Sequence, residues 1–196
     1  MQRISAGRFR GRKLLPIPEG ALGVRPTGSR VREAIFDRLQ DSVIGASVLD
    51  LFAGSGALAF EALSRGAKRA VLVERDPSLV RRLRSQIEAL GAGAEAEVWA
   101  GEALTFLRDR GHRSRLGRFD LVLIDPPYAE AEALCGPALA LLADGWLAPD
   151  ADLVVEYARH RGRAPVIAHP RALEILAQRT YGETAVDFLR GPAAEG

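Results

Sequence analysis

Asp50-Leu51-Phe52-Ala53-Gly54-Ser55-Gly56 grows out of an apolar run at 48–51 and opens a stretch of helical periodicity at about 56–65. Glycine at such a strand-to-helix turn admits backbone torsions that other residues resist. It also removes the side chain that would hold a ligand away from the main chain. Glu74 ends the next apolar run, 18 residues after Gly56, where a carboxylate is placed to accept hydrogen bonds from both hydroxyls of a ribose. Loop and acid together predict an adenosine-containing cofactor. The glycines alone leave its kind open, because Gly54-x-Gly56-x-x-Ala59 also satisfies the dinucleotide fingerprint of NAD and FAD sites.

Working outward, apolar runs at 48–51, 70–74, 96–100, 121–124 and 153–156 alternate with helical stretches at about 56–65, 78–90, 102–110 and 132–143. This alternation implies an α/β fold with a mostly parallel sheet and helices on both faces. The tail breaks the pattern: 173–180 and 184–189 read as strands joined by Tyr181-Gly182-Glu183, although 170–178 also allows a helix start. A closing hairpin brings the sheet to seven strands and gives it an antiparallel C-terminal edge strand. Ahead of the loop lie a basic arm, whose RISAGRFRGRKLLP pattern suits a short hairpin, and a helix at 30–39. Val31, Ala34, Ile35 and Leu39 lie near one face of that helix with cations on the other, and Thr27 or Ser29 is its candidate cap. The expected organisation is a small basic N-terminal extension, 1–40, on one domain, 41–196.

At 196 residues with 47% hydrophobic and 27% charged residues, the composition is that of a folded globular chain. No run approaches the roughly 20 apolar residues of a membrane span, and the basic start has no apolar segment behind it, so a cytoplasmic protein is expected. The single cysteine, Cys135, has no internal disulfide partner and reads as a small buried apolar residue in a helix. The formal charge of +2 hides an asymmetry. Residues 1–40 carry Arg3, Arg8, Arg10, Arg12, Lys13, Arg25, Arg30, Arg32 and Arg38 against Glu19, Glu33 and Asp37, a net of +6, which leaves −4 for the rest. Such an arm favours a polyanion, since each phosphate neutralised releases condensed counterions and arginine makes forked contacts to phosphate oxygens. Arg8, Arg10, Arg12, Lys13, Arg30 and Arg32 are the candidate contacts. The mostly basic run at 108–118 reads as a solvated loop.

Asp125-Pro126-Pro127-Tyr128 follows the fourth apolar run, at the carboxyl edge where open α/β sheets hold their ligands. Its parts suit one chemistry. An exocyclic amine of a nucleobase conjugates its lone pair into the ring and is a poor nucleophile. The Asp125 carboxylate and the Pro126 carbonyl can accept both amine protons and favour pyramidal geometry, which localises that lone pair. The proline rings restrict the torsions that aim the carbonyls, and Tyr128 offers a flat face to a flipped base. Asp125 is also a candidate acceptor or relay for the proton the amine must lose. No metal is needed. Methylation at cytosine C5 requires a cysteine nucleophile, and Cys135 lies within a helical pattern away from the fourth strand's end.

The D-x-F-x-G-x-G arrangement from Asp50 to Gly56 resembles the first signature motif of Rossmann-like methyltransferases, with Asp50 placed to attract the ammonium of a methionine moiety. Over nearly its full length the chain resembles the RsmD-type family of bacterial 16S rRNA guanine-N2 methyltransferases. The resemblance rests on Arg3-Ile4-Ser5-Ala6-Gly7 with Arg10-Gly11-Arg12-Lys13-Leu14, on Arg25-Pro26-Thr27 with Arg30-Val31-Arg32-Glu33, and on the glycine loop with Ala57-Leu58 and Glu61-Ala62-Leu63-Ser64-Arg65-Gly66. Asp125-Pro126-Pro127-Tyr128 and Gly145-Trp146-Leu147 complete it.

That resemblance implies a Rossmann-like fold and methyl transfer from S-adenosylmethionine, leaving S-adenosylhomocysteine. The acceptor it implies is N2 of one guanine of 16S rRNA in the 30S subunit or an assembly intermediate, and the enzyme a monomer. It places Asp125, Pro126 and Tyr128 at the target amine. Asp50, Phe52, Gly54, Gly56, Glu74, Glu102 and Ala103 fall at the cofactor, with Thr27 closing over its methionine end. Tyr128 stands where the family commonly has Phe, and Glu102 where Asp is commoner. From the residues alone, Asp-Pro-Pro-Tyr serves adenine N6 in DNA or RNA equally well. A noncatalytic RNA-binding factor predicts a broken loop or a lost Asp125, and a dehydrogenase requires a nicotinamide pocket; the sequence speaks for neither.

Overall fold

A computed structural model describes residues 2–17, 28–159 and 163–194. Its strands are β1 (Ser47–Asp50), β2 (Arg69–Glu74), β3 (Ala96–Ala100), β4 (Phe119–Ile124), β5 (Leu147–Ala158), β6 (Glu174–Tyr181) and β7 (Thr184–Arg190). The α-helices are α1 (Ser29–Leu39), α2 (Ala57–Ser64), α3 (Pro77–Leu90), α4 (Ala103–Arg108), α5 (Arg110–Leu116) and α6 (Ala131–Ala143). One seven-stranded sheet runs in the order β3-β2-β1-β4-β5-β7-β6. Strands β1 to β5 pair in parallel, and β7 is antiparallel to both β5 and β6. The closing hairpin is thus folded inward, with β7 against β5 and β6 at the edge.

Side-chain alternation divides the core in two. Val48, Leu72, Leu121, Leu123 and Val154 pack with the apolar faces of α1, α2 and α3. Leu49, Val73, Val122, Ile124 and Val155 pack with α4 and α6. Helix α2 therefore leaves β1 over one face and α6 follows β4 over the other. Between the diverging connections a crevice opens at the carboxyl edge. Local signals agree with these boundaries. Asp76 caps α3 by accepting from the amides of Ser78 and Leu79, Pro77 fills the first turn, and Gly91 ends the helix in the left-handed region at φ 69°.

Three expectations change. Helix α1 is preceded by Gly28 with no side-chain cap, and Ser29 is already helical; Thr27 lies outside the described residues, as do Arg25 and Pro26. Arg32 is not a surface contact for nucleic acid: it is 1% exposed, its Nε donates to Glu61 at 3.3 Å and its Nη2 to the Arg3 carbonyl at 2.6 Å. A cation is tolerated on this buried face because a buried carboxylate neutralises it. The basic run at 108–118 contains helix α5. Asp109 caps it through the Gly111 amide, His112 stacks on Phe106, Leu116 is buried, and its arginines reach outward, Arg115 to Glu97 and Arg113 to the Asp144 carbonyl.

The arm forms an irregular hairpin, bridged at Arg3 and Lys13 and closed by Ile4 N to Arg12 O (3.1 Å), Gly11 N to Ile4 O (2.9 Å) and Leu14 N to Gln2 O (3.0 Å). Ile4, Phe9 and Leu14 join the same core as α1 and α2. Two buried charges hold the arm in place. The Glu61 carboxylate on α2 accepts from Ser5 N (2.9 Å), Ser5 Oγ (2.6 Å), Ala6 N (3.1 Å) and Arg65 Nε (2.9 Å) besides Arg32. The Arg82 guanidinium on α3 donates to the carbonyls of Leu15, Pro16 and Ser55, so it joins the arm's end to the glycine loop.

Burial acts to raise the Glu61 pKa, but the Ser5 hydroxyl and amide, Arg65 and Arg32 together hold it below its usual value. The unfolded chain then binds this proton more tightly than the folded one. The resulting stabilisation is complete above the unfolded pKa of about 4.3 and is lost as pH falls through the lower folded value. Glu61→Ala is expected to lower stability in urea unfolding at pH 7 by about 3–5 kcal/mol, with a smaller gap in acid; an unchanged midpoint would remove Glu61 from this role.

Candidate active site

A cavity of about 640 Å³ occupies the crevice, within the range of small-molecule sites. Its floor is the run from Asp50 to Ser55 with Val73, Glu74 and Gly101 to Ala103 on one side and Asp125 to Tyr128 on the other. Glu156, Tyr157 and Ala158 at the end of β5, and Thr184 at the start of β7, close the far wall. Thr184 arrives there because β7 runs antiparallel to β5, pairing Thr184 with Ala158.

Each acidic side chain is held by its place at a strand end. Glu74 is fixed on both oxygens: the Gly54 amide donates to Oε2 and the Asp76 amide to Oε1, each at 2.8 Å. It thereby ties the glycine loop, where Gly54 has φ 50°, to the end of β2. Asp50 is 1% exposed and its Oδ1 has no hydrogen-bond partner. Burial, with the charges of Asp125 and Glu74, pushes this carboxyl up to about 8, against partial relief from the backbone at Phe52 and Ala59. A carboxylate in that state takes up a cation or a proton. Asp125 is half-buried, Pro126 is buried, and Tyr128, 46% exposed, stands at the rim in a short helical turn, Tyr128–Glu130. Arg75 spans the same rim, paired with Glu130 at 2.5 Å and near Glu102 at 3.6 Å.

The cavity thus brings together Asp50, Phe52, Gly54, Glu74, Glu102, Ala103, Asp125, Pro126 and Tyr128. Gly56 stands behind its lining, as the left-handed residue before α2 at φ 70°. A Cβ there would sit 2.4 Å from Phe60 Cε2 and 2.7 Å from Leu83 Cδ2, so glycine at this position serves loop packing. Glu156 and Arg75 are site residues that sequence reasoning misses. Glu156 ends the fifth apolar run as Glu74 ends the second, and that shared position is the available signal. Cys135 is fully buried in α6, and burial, with the charges of Asp125 and Asp187, pushes its thiol up to about 12, unsuited to nucleophilic attack.

An acid-lined cleft of this kind can hold a cationic nucleoside and present acceptors to an amine. The family described as Conserved hypothetical protein 95 matches residues 2–190. The chain is 38% identical over 182 residues to the Ribosomal RNA small subunit methyltransferase D of Haemophilus influenzae, covering 92% of this chain and 89% of that one. It is 40% identical over 168 residues to the protein of the same name from Escherichia coli K12, covering 85% and 80%. Among solved structures, a putative methyltransferase from Escherichia coli superposes with a TM-score of 0.83 at 36% identity, covering 98% of this chain and 99% of that one.

Gly56→Ala is expected to destabilise the chain by about 1–3 kcal/mol, because the methyl meets two core side chains at a left-handed position. Thermal unfolding should show it as a loss of roughly 2–4 °C per kcal/mol; an unshifted Tm would mean that the loop accepts a side chain there.

Proposed function

The chain belongs to the RsmD-type family of small-subunit rRNA methyltransferases, and from that membership we propose that it transfers a methyl group from S-adenosylmethionine to the exocyclic N2 amine of one guanine in 16S rRNA. The observation that carries this reading is that Asp125-Pro126-Pro127-Tyr128, at the end of β4, shares one cavity with Asp50 and Glu74 at the ends of β1 and β2. The substrate is the 30S subunit or an assembly intermediate, the enzyme acts as a monomer, and residues 1–40 form the RNA-facing extension of the methyltransferase domain, 41–196.

The residues fit this cofactor. The buried, unpartnered Asp50 Oδ1 suits the ammonium of its methionine end, and Glu74, already fixed by two amides, is held to take the ribose hydroxyls. Glu102 and Ala103 receive the adenine, Gly54 lets the ligand approach the main chain, and Phe52 lines the cavity beside it. S-adenosylmethionine supplies a methyl already activated by the sulfonium charge. The chain's part is then to place the amine in line, for which well-oriented groups reach effective molarities of about 10⁵ M or more. The Asp125 carboxylate and Pro126 carbonyl accept the amine protons, Tyr128 stacks on the base at the rim, and Asp125 takes or relays the proton released. Outside the cavity, Arg8, Arg10, Arg12, Lys13 and Arg30 are exposed and suited to phosphate, although Arg8 also pairs with Glu95 and Arg12 donates to the Ala89 carbonyl.

The test is incubation with labelled S-adenosylmethionine and, separately, unmodified 16S rRNA, 30S subunits and duplex DNA, with the product nucleoside identified by mass spectrometry. N2-methylguanosine confined to the ribosomal substrates is expected; N6-methyladenine would move the assignment to an adenine methyltransferase. Asp125→Ala should keep cofactor affinity while slowing transfer by about 10²–10⁴-fold, and full activity would overturn the assigned chemistry. Since Asp50 titrates near 8, affinity for the cofactor should rise as pH is raised from 6 to 8, with proton release on binding. Asp50→Asn should flatten that profile, and an equal slope in both proteins would exclude Asp50 as the group. Neutralising Arg10 and Lys13 together should reduce the salt slope of RNA binding by about 1 for each phosphate that is no longer neutralised; an unchanged slope would make the arm a merely solvated surface.

A further inference from the structure

Glu156 is a buried carboxylate to which the reaction above gives no task. It is 6% exposed, lines the cavity, and its Oε2 has no hydrogen-bond partner. Its position follows from register. Strands β4 and β5 pair Leu123 with Val154 and Ile124 with Val155, so the next residues of the two chains, Asp125 and Glu156, come side by side. Both share the side-chain parity of Leu123 and Val154, which lie on the α1 face of the sheet. The nearby cation on that face, Arg32, is bonded to Glu61 and the Arg3 carbonyl through Nε and Nη2, and its buried Nη1, like Glu156 Oε2, has no hydrogen-bond partner. Neighbouring parallel strands lie about 4.8 Å apart, so a base whose amine is held at Asp125 presents the adjoining part of its ring edge to Glu156.

We propose that Glu156 is the specificity-determining residue for the base, pairing with N1–H and O6 of the guanine whose N2 is held by Asp125 and Pro126. The proposal rests on the guanine reading above and supplies a reason for it within the site. Beside the N2 amine, guanine offers a donor at N1 and then an acceptor at O6. Beside the N6 amine, adenine offers an acceptor at N1 and then a bare C2–H. A neutral carboxyl at Glu156 makes two hydrogen bonds to the guanine edge, O–H to O6 and C=O from N1–H, but only one to adenine. An ionised carboxyl accepts from guanine N1–H and sets a lone pair against adenine N1. Guanine is the better match in both states. Burial and the charge of Asp125 push this carboxyl up, against a smaller opposing pull from Arg32, so the neutral, two-bond form gains weight.

The experiment uses the full chain, S-adenosylmethionine and 30S subunits reconstituted with 16S rRNA carrying guanine or 2-aminopurine at the methylated position. The analogue keeps the N2 amine but has an acceptor at N1 and no O6. The native enzyme should prefer guanine in kcat/KM by about 10³-fold or more, as sites built around a buried hydrogen bond do. Glu156→Gln, which keeps a C=O and an N–H donor in the same places, should retain that preference within about tenfold. Glu156→Leu should reduce it to tenfold or less while still binding S-adenosylmethionine, and Glu156→Ala, which adds no bulk, is read the same way. A preference that survives in the Leu and Ala variants overturns this proposal alone, as does failure of both to bind S-adenosylmethionine, which would assign Glu156 to the fold. Methylation of adenine N6 by the native enzyme overturns the functional reading together with it.

Discussion

The parallel pairing of β1 with β4 is the constraint on which the rest of this molecule depends. It aligns Asp50 with Leu123, which sets Asp125 two residues beyond the partner of Asp50 and on the same face of the sheet. The chain then leaves β1 through α2 on one face and reaches α6 from β4 on the other, so the two connections diverge and the gap between them opens at the carboxyl edge. The glycine loop and the Asp-Pro-Pro-Tyr turn, 75 positions apart when counted from Asp50 to Asp125, become the floor and one side of a single cavity for that reason.

The same register gathers acids. Asp50, Asp125 and Glu156 end three neighbouring strands on one face, and burial together with their mutual repulsion raises Asp50 and Glu156 well above the usual carboxylate range. Such a grouping opposes folding, since each buried oxygen without a partner costs on the order of 1–3 kcal/mol. It is sustained by the large apolar clusters on both faces of the sheet. Local features that act against stability are expected where a site is built for a ligand that brings the missing partners.

Much of this was legible in the sequence because its signals are local. Strand-length apolar runs, the glycine turn, Glu74 at a strand end and the Asp-Pro-Pro-Tyr turn each announce themselves within a few residues. What escaped depends on partners far along the chain. Arg32 looks like any helix-surface arginine until Glu61 and the Arg3 carbonyl, both 29 residues away, are brought beside it. Helix α5 is hidden by its charge, since only Leu116 of its seven residues is buried and the stacking of His112 on Phe106 has no signature in periodicity. Glu156 reads as the last residue of a strand; its closeness to Asp125 is a matter of register between strands, which a sequence pattern does not encode.

Arg82 makes the arm and the domain inseparable in practice. The residue is 6% exposed and its guanidinium shares its protons among Leu15, Pro16 and Ser55 carbonyls, while Glu61 draws two amides and a hydroxyl from Ser5 and Ala6. A fragment begun at residue 41 would leave Glu61 only Arg65 and Arg82 only the Ser55 carbonyl among these partners, and would uncover the apolar surface now shielded by Ile4, Phe9 and Leu14. Breaking one such buried pair costs about 3–5 kcal/mol, a large part of the roughly 5–15 kcal/mol that holds a typical domain together. Truncation therefore weakens the scaffold as it removes the basic surface. Single-residue changes at the arm's exposed tips are the way to separate the RNA contacts proposed for it from what it does for the fold.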